Sequence, residues 1–297
     1  MVELDPVWEH ESKTSDDVAR AYRIADTTVL VRSARPVREA VDAIFRRLGR
    51  AAKGERPHLM LDARFERDRY IVEGTGLEPR RFTRAAPPGA VALELANAVA
   101  EAVCRTSGLF IFKAAVLERD GNALALGGVS RAGTTTIAAH LLGRGWRLVS
   151  DAYALVEPST ERVVPFHKLM VVAAASLPQV PRSFRASCEA SPWFALPHRD
   201  DVHFYAVDPA RAYGDAAWSA GAHLRHFAYV TRGDGAARLA DCDAWSLAPQ
   251  IHGLTWPPAD LLDSMARMAS AMRGVRTGVL TCSDPLAAGD VLERWIG

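Results

Sequence analysis

Apolar and polar positions form short strand-like runs and one helical repeat in the first 85 residues of this chain, and the pattern then changes. Pro36 opens the helical repeat, whose apolar positions fall on one face. The strand-like runs are residues 27–32, 58–62 and 69–73. Residues 80–89 contain prolines and little periodicity, which is typical of a linker. The pattern therefore predicts a small α+β N-terminal region at residues 1–85 and a larger domain at residues 90–297.

Helical and strand-like segments alternate in the larger domain, which predicts an α/β fold. They are a helix at 90–104, strands at 109–117 and 123–126, a short helix from 137 and a strand at 146–150. Residues 176–220 have weak periodicity and predict loops with short helices. A helix predicted from Pro257 to Met272 has an inner side formed by Leu261, Leu262, Met265 and Met268.

A glycine-rich loop stands between the strand at 123–126 and the following short helix. Phosphate-binding loops have the form G-x-x-x-x-G-K-[S/T], and Gly128, Gly133 and Thr135 match it in register. Thr134 stands where the lysine is expected. Backbone N–H groups and the helix dipole can still hold an anion at such a loop. The predicted phosphate-binding residues are Gly128, Ser130, Gly133, Thr134, Thr135 and Thr136.

Asp151 follows the strand at 146–150, and an acid at a strand end near a phosphate loop is the arrangement that holds Mg²⁺ in phosphate-transferring enzymes. Asp151 is therefore a candidate metal ligand or base, with Thr135 as the second metal ligand. The alternative for Asp151 is an acid that caps a turn. His167 and Lys168 follow the apolar run at 163–166, close to the strand that ends in Asp151, and either line the site or lie in a solvated loop.

Two basic residues are candidates to replace the missing loop lysine. Lys113 lies in the strand predicted at 109–117, and its side chain either enters the phosphate site or extends from an edge strand into solvent. Arg131 lies inside the loop, where it either reaches a phosphate, obstructs the loop or points to solvent. A threonine hydroxyl at Thr134 cannot supply the positive charge that phosphate transfer needs.

Composition excludes several classes of function. The 297 residues are 49% hydrophobic, and 36 basic against 35 acidic residues give a net charge of +1, which predicts no nucleic-acid or membrane partner. The chain starts without a signal-peptide pattern, so a cytoplasmic location is expected. The four cysteines are widely spaced, and His223 and His226 lack a third ligand at zinc spacing. Neither a disulfide framework nor a zinc site is predicted.

Three motifs together resemble the HPr serine kinase/phosphorylase family, and more closely the small HPr-kinase-related proteins. They are Gly128-Val-Ser-Arg-Ala-Gly-Thr-Thr-Thr-Ile137, Gly145-Trp-Arg-Leu-Val-Ser-Asp151 and the hairpin from Gly108 to Gly121. The resemblance implies a P-loop core related to that of phosphoenolpyruvate carboxykinase, with ATP and Mg²⁺ as cofactors. It also implies a serine of a peptide or protein as the phosphate acceptor.

Four departures from the family pattern fall on its catalytic residues. Thr134 replaces the loop lysine, Arg131 a loop glycine, Ala152 a second acid and Lys113 a histidine of the hairpin. We therefore expect a degenerate HPr-kinase-like protein that binds a peptide or protein partner in a biosynthetic or regulatory pathway. The alternative is an active ATP-dependent kinase in which Lys113 or Arg131 replaces the lysine. The sequence leaves self-association open.

Overall fold

The computed structural model of the protein describes residues 18–33, 35–52, 55–67, 69–75, 77–83, 86, 88–196, 199–255 and 261–297. The first turn of the helix predicted from Pro257 lies outside these residues. The fold is mixed α/β with several sheets, as the alternation of segments predicted. No helix within the described ranges is both long and apolar enough to cross a membrane.

A six-stranded sheet and two helices form the N-terminal part of the fold. The strands are β1 (Val18–Ile24), β2 (Thr27–Ser33), β3 (Gly49–Arg50), β4 (Leu59–Glu66), β5 (Arg69–Gly74) and β6 (Leu77–Thr83). Their order in the sheet is β3-β1-β2-β4-β5-β6. The helices α1 (Arg35–Ile44) and α2 (Pro88–Thr106) contact each other, and α2 also packs on β4 and β5. The boundary between regions 1–85 and 90–297 stays a prediction.

A nine-stranded sheet carries the glycine-rich loop. Its strands are β7 (Phe110–Phe112), β8 (Ala114–Arg119), β9 (Asn122–Gly128), β10 (Arg147–Ser150), β11 (Ala154–Glu157), β12 (Arg162–Val164), β16 (Ala222–Arg232), β17 (Arg238–Cys242) and β18 (Arg276–Cys282). The main path is β10-β8-β9-β16-β12-β11-β7, with β18 on β16 and β17 on β18. β16 runs parallel to both β9 and β18, whereas the other pairs in this sheet are antiparallel.

Helices cover both faces of this sheet. Successive residues of a strand point to opposite faces, so alternate residues of one strand pack against different helices. The helices that follow α2 are α3 (Thr134–Leu142), α4 (Arg182–Glu189), α5 (Ala210–Tyr213), α6 (Ala248–Gly253), α7 (Leu261–Ala271) and α8 (Pro285–Ile296). Leu124 and Leu126 of β9 belong to the buried cluster that contains residues of α3 and α8. Ala123 and Ala125 belong to a second cluster, with residues of α6 and α7. The central strands are therefore apolar on both faces.

A small third sheet fills part of the region that the sequence predicted as loops and short helices. Its strands are β13 (Met170–Ala173), β14 (Trp193–Leu196) and β15 (Arg199–Val207), in the order β13-β15-β14. Both pairs are antiparallel. Short 3₁₀ helices at 174–179 and 215–217, with α4 and α5, account for the predicted helical turns.

Three local predictions are wrong. The linker predicted at 80–89 overlaps regular structure, because β6 extends to Thr83 and α2 begins at Pro88. The strand predicted at 109–117 is interrupted at Lys113, because β7 pairs with β11 whereas β8 pairs with β9 and β10. On α7, Leu262 and Met265 are exposed although the pattern placed them inward, and only Met268 of that set is shown buried. A helical repeat identifies an apolar face, but it does not establish that another element covers the whole of that face.

Candidate functional site

The glycine-rich loop joins β9 to α3 at one end of the nine-stranded sheet. β9 ends at Gly128, and the loop runs from 129 to 133. A Cβ atom on Gly128 would lie 2.7 Å from the Val230 carbonyl oxygen and 2.9 Å from the Ala132 Cβ, so a larger residue does not fit without a shift of the backbone. Gly133 adopts a φ of 103°, which favours glycine, at the point where α3 begins. Two glycines thus fix both ends of the loop.

The first turn of α3 is suited to an anionic group. Its N-cap residue is Gly133, which has no side chain to accept a hydrogen bond from the first backbone N–H groups of the helix. Such groups, together with the positive end of the helix dipole, form an anion-binding surface. Ser130 is exposed, Thr134 and Thr135 are half-buried, and Thr136 is buried. All six residues predicted to bind phosphate lie on this loop and turn.

Arg131 lies at the exposed part of the loop and has a φ of 69°. This left-handed backbone conformation costs about 1–2 kcal/mol for a residue with a Cβ atom. It is also the position at which the family pattern has glycine. The backbone conformation therefore matches the pattern, although the side chain departs from it.

Asp151 lies beneath the loop, and its carboxylate is almost completely buried, with 2% of the residue exposed. The Thr135 hydroxyl donates a hydrogen bond to Asp151 Oδ1 at 3.2 Å. The Val171 backbone N–H donates to Asp151 Oδ2 at 3.1 Å. The Lys168 Nζ atom lies 3.5 Å from the same Oδ2. Both carboxylate oxygens therefore already have protein partners.

Lys168 is buried rather than solvated, with 1% of the residue exposed. Its Nζ atom donates to the Leu169 carbonyl oxygen at 3.1 Å and forms the salt bridge with Asp151. Burial lowers the pKa of Lys168, and the Asp151 charge acts in the opposite direction. The sequence named Lys168 as one of two possible site-lining residues, but it gave no sign that this lysine neutralises Asp151.

Lys113 occupies a bend between β7 and β8 at the same end of the sheet as the loop. Ala114 pairs with Gly127, so Lys113 stands level with the start of the loop. Its backbone N–H donates to the Leu254 carbonyl oxygen at 2.9 Å, and its side chain is exposed. A role of Lys113 at the glycine-rich loop stays a prediction, whereas the predicted place of Lys113 in the middle of a strand was wrong.

The residue after Asp151 offers no second carboxylate. Ala152 has a φ of 78°, and its carbonyl oxygen accepts a hydrogen bond from the Ala114 backbone N–H at 3.2 Å. His167 has its own partners: its Nε2 atom lies 2.8 Å from the Ser219 carbonyl oxygen, and its ring lies 4.6 Å from that of Trp218. Burial lowers the pKa of His167, opposed by the contact with Ser219. His167 thus belongs to a contact with the segment before β16.

An Mg²⁺ ion, which the family pattern implies, would need the Thr135 hydroxyl and the Asp151 carboxylate as ligands. Mg²⁺ requires a nearly octahedral set of oxygen ligands at about 2.0–2.1 Å. Here a buried ammonium group already neutralises the one acid, and Ala152 supplies no second one. Across the described ranges, no group of three or more His, Cys, Asp or Glu side chains could hold a metal ion. These residues do not fit a resident Mg²⁺, and phosphate binding by the loop backbone stays a prediction.

Comparison with known proteins gives distant similarity to solved structures. No protein-family model matches the sequence, and no curated protein matches it. Among solved structures, the HPr(Ser) kinase/phosphatase from Coxiella burnetii matches with a TM-score of 0.31 and 10% sequence identity. The match covers 63% of this chain and 95% of that chain. At this level the two proteins share at most a distant relationship.

Proposed function

We propose that this protein is an HPr-kinase-like scaffold that binds a peptide or protein partner and has lost metal-dependent phosphate transfer. The observation that carries the proposal is the internal salt bridge of Asp151. The one acid placed below the loop is bonded to Thr135, Val171 and Lys168. A carboxylate in this state is unsuited to hold Mg²⁺ against the phosphates of ATP.

The loss of the loop lysine and the loss of the metal ion would both act on the same step, the transfer of the phosphate group. Phosphate transfer depends on positive charge that meets the β- and γ-phosphates, supplied by the loop lysine and by Mg²⁺. Thr134 removes the lysine, and the state of Asp151 disfavours the metal. Removal of a single stabilising group typically lowers a rate by about 10²- to 10³-fold. Both losses together favour a site without useful transfer activity.

The loop itself supports weak binding of a nucleotide or another phosphate compound. The uncapped N–H groups of α3 and the glycines at 128 and 133 keep the backbone open to an anion. Nothing in this mode of binding requires a metal. A phosphate group would therefore serve as a bound ligand rather than as a substrate.

Exposed apolar side chains support a peptide or protein as the partner. Trp245 is exposed and lines a groove of about 500 Å³ between β17 and α7. Leu262 and Met265 of α7 are also exposed. Aromatic residues and methionine are enriched in protein interfaces, and large exposed apolar groups often mark them.

An active kinase is the second candidate, and the position of Lys113 favours it. This lysine stands level with the start of the loop and its side chain is exposed, so its charge would replace that of the missing loop lysine. In this case Lys113→Ala would lower the transfer rate by about 10²- to 10³-fold.

Transfer of labelled γ-phosphate from ATP to an array of serine-containing peptides, in the presence of Mg²⁺, separates the two functions. We expect the wild type to transfer no more phosphate than a sample without protein. Kinases turn over at roughly 1–100 s⁻¹. Transfer at such a rate that disappears in Asp151→Asn would contradict the proposal, and its loss in Lys113→Ala would identify the relocated charge.

A further inference from the structure

We propose that Lys168 is a specificity-determining residue that takes the place of a divalent cation beside Asp151 and thereby excludes metal ions from the loop. The inference deepens the proposed function and rests on it, because it names the residue that makes the site independent of metal. Its ligand class is a phosphate group that arrives without a coordinated divalent cation.

The contacts of Asp151 place the ammonium group where it competes with a metal. Asp151 Oδ1 faces the Thr135 hydroxyl at 3.2 Å, the pair that would share a cation below a phosphate. The Lys168 Nζ atom lies 3.5 Å from Oδ2 of the same carboxylate. A divalent cation bound at Asp151 Oδ1 would therefore be repelled by the Lys168 ammonium group at Oδ2 of the same carboxylate. Such repulsion is weakly screened in a buried site.

Lys168 is held in this place by the surrounding backbone. Its Nζ atom also donates to the Leu169 carbonyl oxygen, and the Leu169 backbone N–H donates to the Ile44 carbonyl oxygen at 2.9 Å. The Phe166 backbone N–H donates to the Val149 carbonyl oxygen at 3.3 Å. The segment that carries Lys168 is thus fixed between α1 and β10. An incoming metal ion cannot displace the ammonium group by a simple rotation into solvent.

The exposed basic residues near the loop cannot have this effect. Lys113 and Arg131 are exposed, so water screens their charges. Lys168, in contrast, is buried and forms a salt bridge with Asp151. The charge that a metal would bring to Asp151 is therefore already present inside the protein.

Titration with Mn²⁺ alone, followed by electron paramagnetic resonance of the free ion, tests this inference without nucleotide. The wild type and four variants are compared: Lys168→Met, Lys168→Gln, Asp151→Asn and the double variant Lys168→Met with Asp151→Asn. Methionine keeps the length and the apolar stem of lysine, whereas glutamine keeps a hydrogen-bond donor for the Asp151 carboxylate. We expect Lys168→Met to bind one Mn²⁺ at least about tenfold more tightly than the wild type does.

The thermal unfolding of the same proteins gives a second measurement. Millimolar Mn²⁺ should raise the melting temperature of Lys168→Met and of Lys168→Gln by about 3 °C or more, and that of the wild type and the double variant by less than about 1 °C. Because the glutamine variant retains a polar contact with Asp151, it keeps the test decisive if the methionine variant does not fold.

Two results would overturn the inference. One is a folded Lys168 variant that binds Mn²⁺ no better than the wild type. The other is tight Mn²⁺ binding by the wild type that is abolished in Asp151→Asn. This second result can be obtained even if no Lys168 variant folds. Phosphate transfer by a wild type that binds no Mn²⁺ would contradict the proposed function alone, so the two failures are distinguishable.

Discussion

Two aspartates in the C-terminal half of the protein, Asp151 and Asp208, are almost completely buried, and different kinds of cation neutralise them. Asp208 is 3% exposed, and its Oδ2 atom accepts from Arg47 Nε at 2.9 Å and lies 3.5 Å from Arg46. These arginines are 35% and 39% exposed. Asp151 instead pairs with Lys168, of which 1% is exposed.

The difference concerns where the positive charge stands relative to solvent. Arg46 and Arg47 follow α1 and reach Asp208 from the surface, so they join the N-terminal part of the fold to the segment after β15. Their guanidinium groups can return to water if the acid is removed. Lys168 is buried and cannot return to water in this way, and its partner Asp151 lies next to the glycine-rich loop. The salt bridge of Asp208 with Arg46 and Arg47, called the surface pair because its arginines reach solvent, thus connects two parts of the fold. The salt bridge of Asp151 with Lys168, called the internal pair because both side chains are buried, lies next to the glycine-rich loop.

The largest expected effect comes from removal of one charge of the internal pair. Lys168→Met should lower the free energy of unfolding by about 3–5 kcal/mol, because Asp151 is left buried without a counter-ion. The double variant Lys168→Met with Asp151→Asn should lose at least about 2 kcal/mol less than the sum of the two single losses. Urea unfolding of the four proteins measures this coupling. Additive losses would show that the two side chains do not interact.

A smaller loss is expected at the surface pair. Asp208→Ala removes acceptors for Arg47, for the Trp218 Nε1–H at 3.0 Å and for the Ala210 backbone N–H, and should cost about 2–3 kcal/mol. Asp215 also pairs with Arg47, but it is 84% exposed, so Asp215→Ala should cost less than about 1 kcal/mol. Equal losses in these two variants would remove the distinction between a buried and an exposed acid.

The stability of the surface pair should also depend on pH. Burial opposes ionisation of Asp208, but hydrogen bonds from Arg47, Trp218 and the Ala210 N–H outweigh it and lower its pKa. The pKa is then lower in the folded state than the value of about 3.9 for an unfolded aspartate. The resulting stability is present above that value and is lost as the pH falls through the folded-state pKa. Between pH 5 and pH 2, the wild type should therefore lose more stability than Asp208→Asn, as measured by urea unfolding at each pH. An equal loss would contradict the assignment.

The smallest expected effect lies in the loop above the internal pair. Arg131→Gly relieves a left-handed conformation worth about 1–2 kcal/mol but adds about 0.5–1 kcal/mol of unfolded-state entropy, so a net gain of about 0.5 kcal/mol is expected. The matched change Gly133→Ala introduces a side chain at a φ of 103° and should destabilise the protein by about 1–2 kcal/mol. A loss of stability in Arg131→Gly would show that the arginine side chain makes a stabilising contact.

Local patterns predicted much of the scaffold. The run from Ala123 to Leu126 combines strand-like residues with a glycine-rich loop, and β9, the loop and α3 follow in that order. The strands β2, β4 and β5 and the helix α1 were likewise predicted, because alternation and helical spacing are properties of neighbouring residues. The strands β1, β3 and β6 were not predicted. The strands β14 and β15 were not predicted, since their pairing with each other and with β13 depends on contacts across the fold.

The chemistry of the site could be predicted only in part. Thr135 and Asp151 were predicted as two ligands of one metal ion, and the Thr135 hydroxyl lies 3.2 Å from Asp151 Oδ1. The metal role of the two residues stays a prediction. The partner of Asp151 could not be predicted, because a lysine at position 168 after an apolar run is equally consistent with a solvated loop. Only the packing of its segment against α1 and β10 determines that the charge is buried.

The affinity of the wild type for ATP, measured by calorimetry with excess Mg²⁺ and again with EDTA, tests the central claim most directly. That claim is that Lys168 and Asp151 make the loop independent of metal. We predict weak binding whose Kd values in the two conditions agree within about twofold, with Thr135→Val behaving in the same way. Binding that is about tenfold or more tighter with Mg²⁺, and that loses this difference in Thr135→Val, would contradict the account.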